Sequence, residues 1–272
     1  MENALPLQQH PNFGAALRLM GRDVRSVDLP GAAPVQIIRR FGMTFAPRGP
    51  IWTDETGTGA RANALRALPL RLINSERSDP ALHDAGFRQT MTAAHVAELP
   101  LTGKPDDRIA RMRGKWRNSW RKASGQGLRF ERTIYDTGLH QWLLDADTAQ
   151  QKAKGYKALS HAVVLAYAVE CPRDVIIFTA RKKHDDVAAM LFLRHGMFAT
   201  YHIGWTSPKG RKCSAHHALL IHAAESFGSD GLARLDLGTV DTEHAPGLAR
   251  FKIGCGADVR PLGGTWLKLP GF

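Results

Sequence analysis

The segment best suited to chemistry consists of Lys209, Gly210, Arg211 and Lys212, directly before a helix that we predict from Ser214 to Phe227. Helix N-termini present unpaired backbone amides and a partial positive charge, and both favour phosphate. We therefore expect these four residues to bind the phosphate groups of a ligand. The alternative is a solvated basic loop that binds nothing.

A carboxylate, Asp236, lies near the end of an apolar strand that we predict from Leu232 to Leu237. There it could take a proton from an attacking amine or orient that amine. It could equally cap the following turn through Asx-type hydrogen bonds. Asp241 and His244, in the next loop, could assist the same chemistry, although most loop residues carry none.

Aromatic side chains alternate along a strand predicted from Phe198 to Trp205, which His195-Gly196 joins to the strand before it. The alternation is expected to put Tyr201, Ile203 and Trp205 on one face. Tyr201 and Trp205 could line a substrate cleft, although such a face more often belongs to the core.

No metal site is expected from the residues that usually bind metals. Cys171, Cys213 and Cys255 are odd in number and far apart, and no CxxC pair occurs. His217 and His222 lie five residues apart on a predicted helix and do not face alike. Reduced cysteines are typical of cytosolic proteins, so we expect a cytoplasmic protein without disulfides.

Composition favours a globular protein with an anionic partner. The 272 residues are 43% hydrophobic and carry a formal net charge of +12. Such a surplus of positive charge indicates an anionic binding partner, which could be the phosphate groups of a small molecule, RNA or a lipid surface. The N-terminus lacks the pattern of a signal peptide, and the apolar runs are too short to span a bilayer.

A strongly basic segment runs from Lys104 to Arg132. Its apolar residues fall at steps of three and four, which predicts one helix with an apolar seam: Ile109, Met112, Trp116, Trp120 and Ala123. The tryptophans beside cations could stack on RNA bases, but their place in the seam favours core packing. The outer charges could still attract tRNA or a nucleotide-linked substrate.

Four segments, in order, resemble the FemAB-like branch of the GNAT superfamily. Two lie in the first third: Leu7-Gln8-Gln9-His10-Pro11, and Phe45-Ala46-Pro47-Arg48-Gly49-Pro50-Ile51, which resembles the family's Pro-Arg/Lys-Gly-Pro turn. The third is the tryptophan-rich helix, Lys115-Trp116-Arg117-Asn118-Ser119-Trp120-Arg121-Lys122-Ala123. The fourth combines Leu235-Asp236-Leu237-Gly238-Thr239 with Pro246-Gly247-Leu248-Ala249-Arg250-Phe251-Lys252-Ile253-Gly254-Cys255-Gly256.

The resemblance implies an α/β (α+β) fold made of two GNAT-like domains. Each is expected to be a mixed, mostly antiparallel sheet flanked by helices. We predict the domains at 1–127 and 128–250, with a tail at 251–272 that returns to the first domain. The family's long coiled-coil insertion is absent, so this is a short form.

The resemblance also implies roles for residues within its motifs. Lys252 is expected near the reacting centre, where it could stabilise negative charge on a carbonyl oxygen or pair with a donor phosphate. Arg48 and Phe251 are expected to contact substrate. Two positions depart from the family pattern, because Cys255 replaces an aromatic residue and Thr239 replaces a glycine.

Family members add amino acids from aminoacyl-tRNA to peptidoglycan precursors or acylate other amines. The resemblance therefore implies an N-acyltransferase with a small-molecule amine acceptor and no tightly bound cofactor. Its activated anionic donor could be acyl-CoA, an acyl carrier protein or aminoacyl-tRNA. The alternative is a non-catalytic RNA- or nucleotide-binding protein on the same scaffold.

Overall fold

The protein is described by a computed structural model that covers residues 5–53, 55–155 and 158–268. Its strands, in chain order, are β1 (Asp23–Val27), β2 (Val35–Arg40), β3 (Met43–Ala46), β4 (Leu72–Ser75), β5 (Phe87–Met91), β6 (His95–Pro100), β7 (Leu128–Ile134), β8 (Val175–Lys182), β9 (Asp185–His195), β10 (Phe198–Thr206), β11 (Arg234–Val240), β12 (Asp258–Pro261) and β13 (Gly264–Lys268). Its helices are α1 (Pro11–Leu19), α2 (Thr58–Ala67), α3 (Ala81–Asp84), α4 (Pro105–Arg111), α5 (Gly114–Ser124), α6 (Thr137–Lys154), α7 (His161–Glu170), α8 (Pro208–Lys212), α9 (Ala215–Ser229) and α10 (Pro246–Gly254).

The chain divides into two compact units. The first contains the chain up to His95 together with the segment from Arg260 onward, and the second runs from Val96 to Val259. The boundaries predicted at 1–127, 128–250 and 251–272 were meant to separate two GNAT-like folds and a tail. A division into compact units does not test where such folds begin and end. Those boundaries stay predictions.

The first unit contains a mixed sheet with the strand order β1-β2-β3-β4-β13-β5. Among the described residues of this sheet, only β3 and β4 pair in parallel, and β13 pairs antiparallel with both of its neighbours. Residues of α2 and α3, including Leu65 and Leu82, form a core with Val35, Ile73 and Phe87 of the sheet. The strand at 264–268 thus returns to the first sheet, which confirms the expected fold class and the return of the tail.

The second unit contains a mixed sheet with the strand order β12-β6-β11-β10-β9-β8-β7. Strands β7 to β10 form an antiparallel meander, and β11 joins β10 in parallel. Every residue from Val187 to Leu193 is fully buried, as expected for a strand covered on both faces. Phe227 of α9 packs against Phe178 and Phe192 on one face, at ring-centroid distances of 5.3 Å to each.

A β-bulge in β10 corrects the expected alternation of aromatic residues. The register with β9 runs from Tyr201↔Phe192 to Ile203↔Leu191, so one extra residue, His202, is inserted. Because side chains alternate strictly along a strand, one inserted residue moves all later side chains to the opposite face. The prediction that Tyr201, Ile203 and Trp205 share one face is therefore wrong.

The basic segment forms two helices, α4 and α5, instead of the single helix predicted. Met112 and Arg113 between them have extended backbone, with ψ of 138° and 144°. The Arg113 amide donates to the carbonyl oxygen of Gly254 at 3.0 Å, so a contact distant in sequence replaces the helical hydrogen bond. As expected for a helix start, acidic side chains occupy the first turn of α4, and the Asp107 carboxylate accepts from the Lys104 amide at 3.3 Å.

Candidate active site

The candidate site lies where β10 and β11 of the second unit stop pairing. Their parallel register starts at Phe198↔Arg234 and ends at Thr200↔Asp236. Both strands continue beyond it, to Thr206 and Val240, with no further register pair among the residues that the structure describes. The two strand ends therefore separate and leave an opening in the sheet.

Asp236, Gly238 and Lys252 meet at this opening. The Asp236 carboxylate accepts from the Gly238 amide at 2.7 Å, which is the Asx-type turn that the sequence allowed. Gly238 has a left-handed φ of +77°, and a Cβ added there would lie 3.6 Å from the Lys252 ammonium. The ammonium donates to the carbonyl oxygen of Thr239 at 2.8 Å. Asp236 and Lys252, the two residues expected to carry the chemistry, thus lie close together, and both side chains are buried.

Burial controls the charge of Lys252. Removal from water lowers the pKa of the ammonium to about 8, although the Asp236 carboxylate acts in the opposite direction. Cys255, one turn further along, is also buried, and burial raises the pKa of its thiol to about 12. The thiol donates to the carbonyl oxygen of Lys252 at 3.0 Å, so it is a neutral packing group that satisfies the end of α10.

An aromatic cluster adjoins Lys252, formed by Trp116, Tyr201, His216, His217 and Phe251. Phe251 lies 5.0 Å from His216, 5.4 Å from His217 and 5.9 Å from Trp116, measured between ring centroids. His217 lies 4.9 Å from Trp116. The structure thus brings two predicted substrate-binding residues, Tyr201 and Phe251, into one cluster, together with His217, which was considered only as a metal ligand, and His216, to which no role was assigned.

Three buried polar atoms of this cluster have no hydrogen-bond partner within the described residues. They are Trp116 Nε1, His216 Nδ1 and His217 Nδ1. Desolvation lowers the pKa of His216 to about 3 and that of His217 to about 4, so both rings are uncharged at neutral pH. Unpartnered buried polar atoms are uncommon and often mark a place where a ligand supplies the partner.

Gly204 makes room for the Tyr201 ring. A Cβ at position 204 would lie 1.6 Å from the Tyr201 hydroxyl oxygen, well inside any allowed contact. The hydroxyl instead reaches His216 Nε2 at 3.1 Å. The glycine therefore fixes the direction in which Tyr201 points.

The basic segment 209–212 belongs to a short helix, α8, and does not form a loop. Ser207 caps it by accepting from the Gly210 amide at 3.0 Å, and a Cβ on Gly210 would lie 2.0 Å from the carbonyl oxygen of Val187. Lys209 forms an exposed ion pair with Asp185 at 2.5 Å. Arg211 and Lys212 are exposed, and the phosphate-binding role of the segment stays a prediction.

Two predicted substrate-binding residues have other partners. Trp205 contacts Trp142 of α6 at a centroid distance of 5.1 Å, on the face opposite Tyr201. Arg48 belongs to the first unit, where its guanidinium binds the buried Glu76 carboxylate at 2.6 and 2.9 Å. Arg260 binds the same carboxylate and donates to the Glu76 carbonyl oxygen at 3.1 Å. These contacts give Trp205 and Arg48 a role in holding the fold together. Their proposed contacts with substrate stay predictions.

The loop pair expected to assist is exposed. His244 Nδ1 lies 3.0 Å from the Asp241 carboxylate, and the His244 amide is the main cause of the lowered pKa of Asp241. On the α6 side of β10, by contrast, the bulge residue His202 is half-buried near Asp147 and His161, which are 2.8 Å apart. Burial lowers the pKa of His202 to about 4.

Neither a cluster of metal-binding side chains nor a membrane-spanning helix is present within residues 5–53, 55–155 and 158–268. No group of three or more His, Cys, Asp or Glu side chains could hold a metal ion. No helix in these ranges is long and apolar enough to cross a bilayer.

Comparisons with known proteins bear on the same region. The family model described as acetyltransferase (GNAT) domain matches residues 110–252, which include both strands of the opening and end at Lys252. None of the curated proteins compared with the sequence matches it.

Solved structures match nearly the whole chain. FemX superposes with a TM-score of 0.75 at 14% identity, covering 96% of this chain and 93% of FemX. A conserved protein of unknown function from Bacteroides thetaiotaomicron gives 0.61 at 11% identity, covering 95% and 90%. L-PGS from Bacillus licheniformis gives 0.58 at 15% identity, covering 98% and 94%. At these identities, the likeness shows a shared fold.

Proposed function

Because this chain belongs to the acetyltransferase (GNAT) domain family and is an acyltransferase, we propose that it transfers an acyl or aminoacyl group to an amine. The observation that carries the proposal is the buried Lys252 ammonium beside the opening between β10 and β11. The amine nitrogen bonds to the activated carbonyl carbon, the bond from that carbon to the donor's thiol sulfur or ribose oxygen breaks, and the departing atom takes the proton that the amine loses. Before that bond breaks, negative charge lies on the carbonyl oxygen. A buried cation at that place stabilises the charge far better than one in water.

Asp236 has a positioning role in this proposal. Its carboxylate accepts from the Gly238 amide and interacts with the Lys252 charge, so it holds both the turn and the ammonium. A carboxylate engaged in this way is a poor acceptor for the proton that the amine loses. Asp236 therefore acts through Lys252 and not on the substrate.

His216 acts in this proposal as a neutral hydrogen-bond acceptor for the amine, because a pKa of about 3 makes its ring too weak a base to take the proton. Its ring is uncharged at neutral pH, and its Nδ1 atom is buried without a partner among the described residues. If Nε2 donates to the Tyr201 hydroxyl, Nδ1 keeps a lone pair that can accept a hydrogen bond from the attacking amine.

The donor that we propose is anionic: acyl-CoA, an acyl carrier protein or aminoacyl-tRNA. The chain carries a formal net charge of +12, and Lys115, Arg121 and Lys122 are exposed on α5. Clustered cations raise the local concentration of an anionic donor and speed its encounter. The acceptor is an amine small enough to enter the opening.

The test is mass spectrometry of the purified protein incubated with each donor class and a panel of amines. Lys252→Met removes the charge and keeps most of the side-chain volume, and it should lower kcat by about a hundredfold or more with the fold intact. Lys152→Met, on an exposed lysine of α6, is the matched control and should keep full turnover. Full turnover in Lys252→Met, or no transfer from any donor, would contradict the proposal.

A further inference from the structure

A second candidate binding site lies within the first unit, away from the residues proposed for acyl transfer. It is an open cavity of about 560 Å³ on one face of the first sheet. Asp23 faces Arg39 and Arg25 faces Ile37 in the β1–β2 register, so alternate residues of both strands point into it. The volume is in the range of sites that hold drug-sized ligands.

Cations dominate the rim of this cavity. Among the described residues that line it, four are cationic and one, Asp23, is a carboxylate; the cations are Arg25, Arg39, Arg71 and Lys268. Asp23 pairs with Arg25 at 3.4 Å in an exposed ion pair. Within the described residues, the guanidinium groups of Arg39 and Arg71 have no hydrogen-bond or ion-pair partner. Two arginines facing one cavity suit a phosphate, which guanidinium groups bind through paired hydrogen bonds.

The floor of this cavity is formed by aliphatic side chains. Val27, Ile37, Leu68 and Leu70 line the cavity below the arginines, and no aromatic side chain is among its described lining residues. Nucleobases are usually held by stacking on aromatic rings, so the lining does not favour a nucleotide. An aliphatic chain would remove water from these side chains and from the methylene groups of the arginines.

Backbone hydrogen bonds hold the rim in place. The Arg71 amide donates to the carbonyl oxygen of Thr44 at 3.0 Å, and the Lys268 amide donates to that of Arg71 at 2.9 Å. The Thr44 hydroxyl also donates to the carbonyl oxygen of Pro69. The cavity walls are thus formed before any ligand arrives, which lowers the entropic cost of binding.

We propose that this cavity binds an aliphatic phosphate ester, with the phosphate between Arg39 and Arg71 and the chain on Val27, Ile37 and Leu68. The ligand class is an anionic amphiphile with one phosphate and one hydrocarbon chain. The proposal does not rest on the acyl-transfer function, because none of these residues belongs to the candidate active site.

Isothermal titration of the full chain with octyl phosphate, below its critical micelle concentration, tests the proposal. Inorganic phosphate supplies the head without the chain, and octyl glucoside supplies the chain without the charge. Octyl phosphate should bind at least about tenfold more tightly than either, because it engages both parts of the site. Equal affinity for inorganic phosphate or for octyl glucoside would overturn the proposal.

Arginine variants locate the binding. Arg39→Gln and Arg71→Gln should each weaken octyl phosphate binding about tenfold, the effect of losing about one charge-assisted hydrogen bond. Arg77→Gln is the matched control, because Arg77 is an exposed arginine of the same unit that does not line the cavity. Thermal melts of all three variants check that they are folded. Wild-type affinity in both rim variants, or equal weakening in the control, would overturn the assignment.

Discussion

The Lys252 ammonium is joined to the carbonyl oxygen of Thr239 by a 2.8 Å hydrogen bond that links α10 to the end of β11. The cation and the turn beside it are therefore placed by one contact, while the Asp236 carboxylate compensates part of the cost of burial. A lysine held in this way has one defined position and a pKa close to the physiological range. Both properties lead to measurable consequences.

The first prediction concerns the pH dependence of acyl transfer. Burial lowers the pKa of Lys252 to about 8, so the ammonium that stabilises the carbonyl oxygen is lost as pH rises through that value. We expect kcat/KM to fall with an apparent pKa near 8. Lys252→Arg, whose guanidinium stays charged, should lose this descending limb even if its absolute rate is lower.

Unfolding cannot account for that decline. Between about pH 8 and 10.5, an unfolded lysine keeps a proton that the folded protein has lost, so Lys252 makes the free energy of unfolding rise with pH. A rate that stays constant or rises above pH 8 in the wild type would contradict the charge-stabilising role.

The second prediction concerns acid stability. The pKa of His216 is lowered from 6.5 to about 3. Between these two pH values, the side chain is protonated in the unfolded state and neutral in the folded state. Stability from this group is complete above pH 6.5 and is lost progressively down to about pH 3. Between pH 6.5 and 5, the loss should be about 2 kcal/mol.

Chemical denaturation of His216→Gln across this pH range measures the effect. The variant should show a shallower slope of unfolding free energy against pH, whatever its absolute stability. His83→Gln, whose side chain is 68% exposed, is the control and should keep the wild-type slope. Equal slopes in all three proteins would show that His216 is not desolvated.

The third prediction concerns the buried carboxylate of the first unit. Glu76 lies between Arg48 and Arg260, so Glu76→Gln leaves two cations facing each other without their partner. Such a change should lower the free energy of unfolding by about 3 kcal/mol. Glu131→Gln breaks an ion pair whose side chains are each 49% exposed, and it should cost less than about 1 kcal/mol. The free energy of unfolding of each variant is measured by denaturation with guanidinium chloride. A similar loss in Glu76→Gln and Glu131→Gln would mean that the Glu76 carboxylate is solvated.

The fourth prediction concerns the space beside Tyr201. Gly204→Ala puts a methyl group where the hydroxyl now lies, so the ring must leave His216, at a cost of about 1–3 kcal/mol. Acyl transfer should fall with it, because the cluster beside Lys252 is rearranged. Gly59→Ala, in helix α2 with nothing within 4 Å, should instead be neutral or slightly stabilising. Unchanged activity in Gly204→Ala would show that acyl transfer does not depend on the position of the Tyr201 ring.

Much of the fold could be predicted from the sequence because local patterns and motifs agree. The hairpin at His195-Gly196 and the strand carrying Asp236 are in place. The bulge at His202 was not predictable, since an inserted residue leaves no mark in the apolar pattern. The break between α4 and α5 was also missed, because it depends on the Arg113 amide meeting Gly254, which is far away in sequence.

The candidate site was only partly accessible from the sequence. Lys252 and Asp236 belong to a recognisable motif, and the structure brings them together. His216 and His217 carried no signal beyond their position at the start of a helix. Their importance arises from partners on other elements, Trp116, Tyr201 and Phe251, and contacts of this kind exist only after folding.

The place of β13 in the first sheet has a consequence for synthesis on the ribosome. Strands β4 and β5 emerge early, yet their shared partner is encoded at residues 264–268. Until those residues emerge, the nascent chain carries two strand edges whose amides and carbonyls lack their final partners, and such edges invite pairing with other chains. The first sheet is completed only after translation has passed the entire second unit, so a ribosome that stalls before residue 264 releases a product with this sheet unfinished.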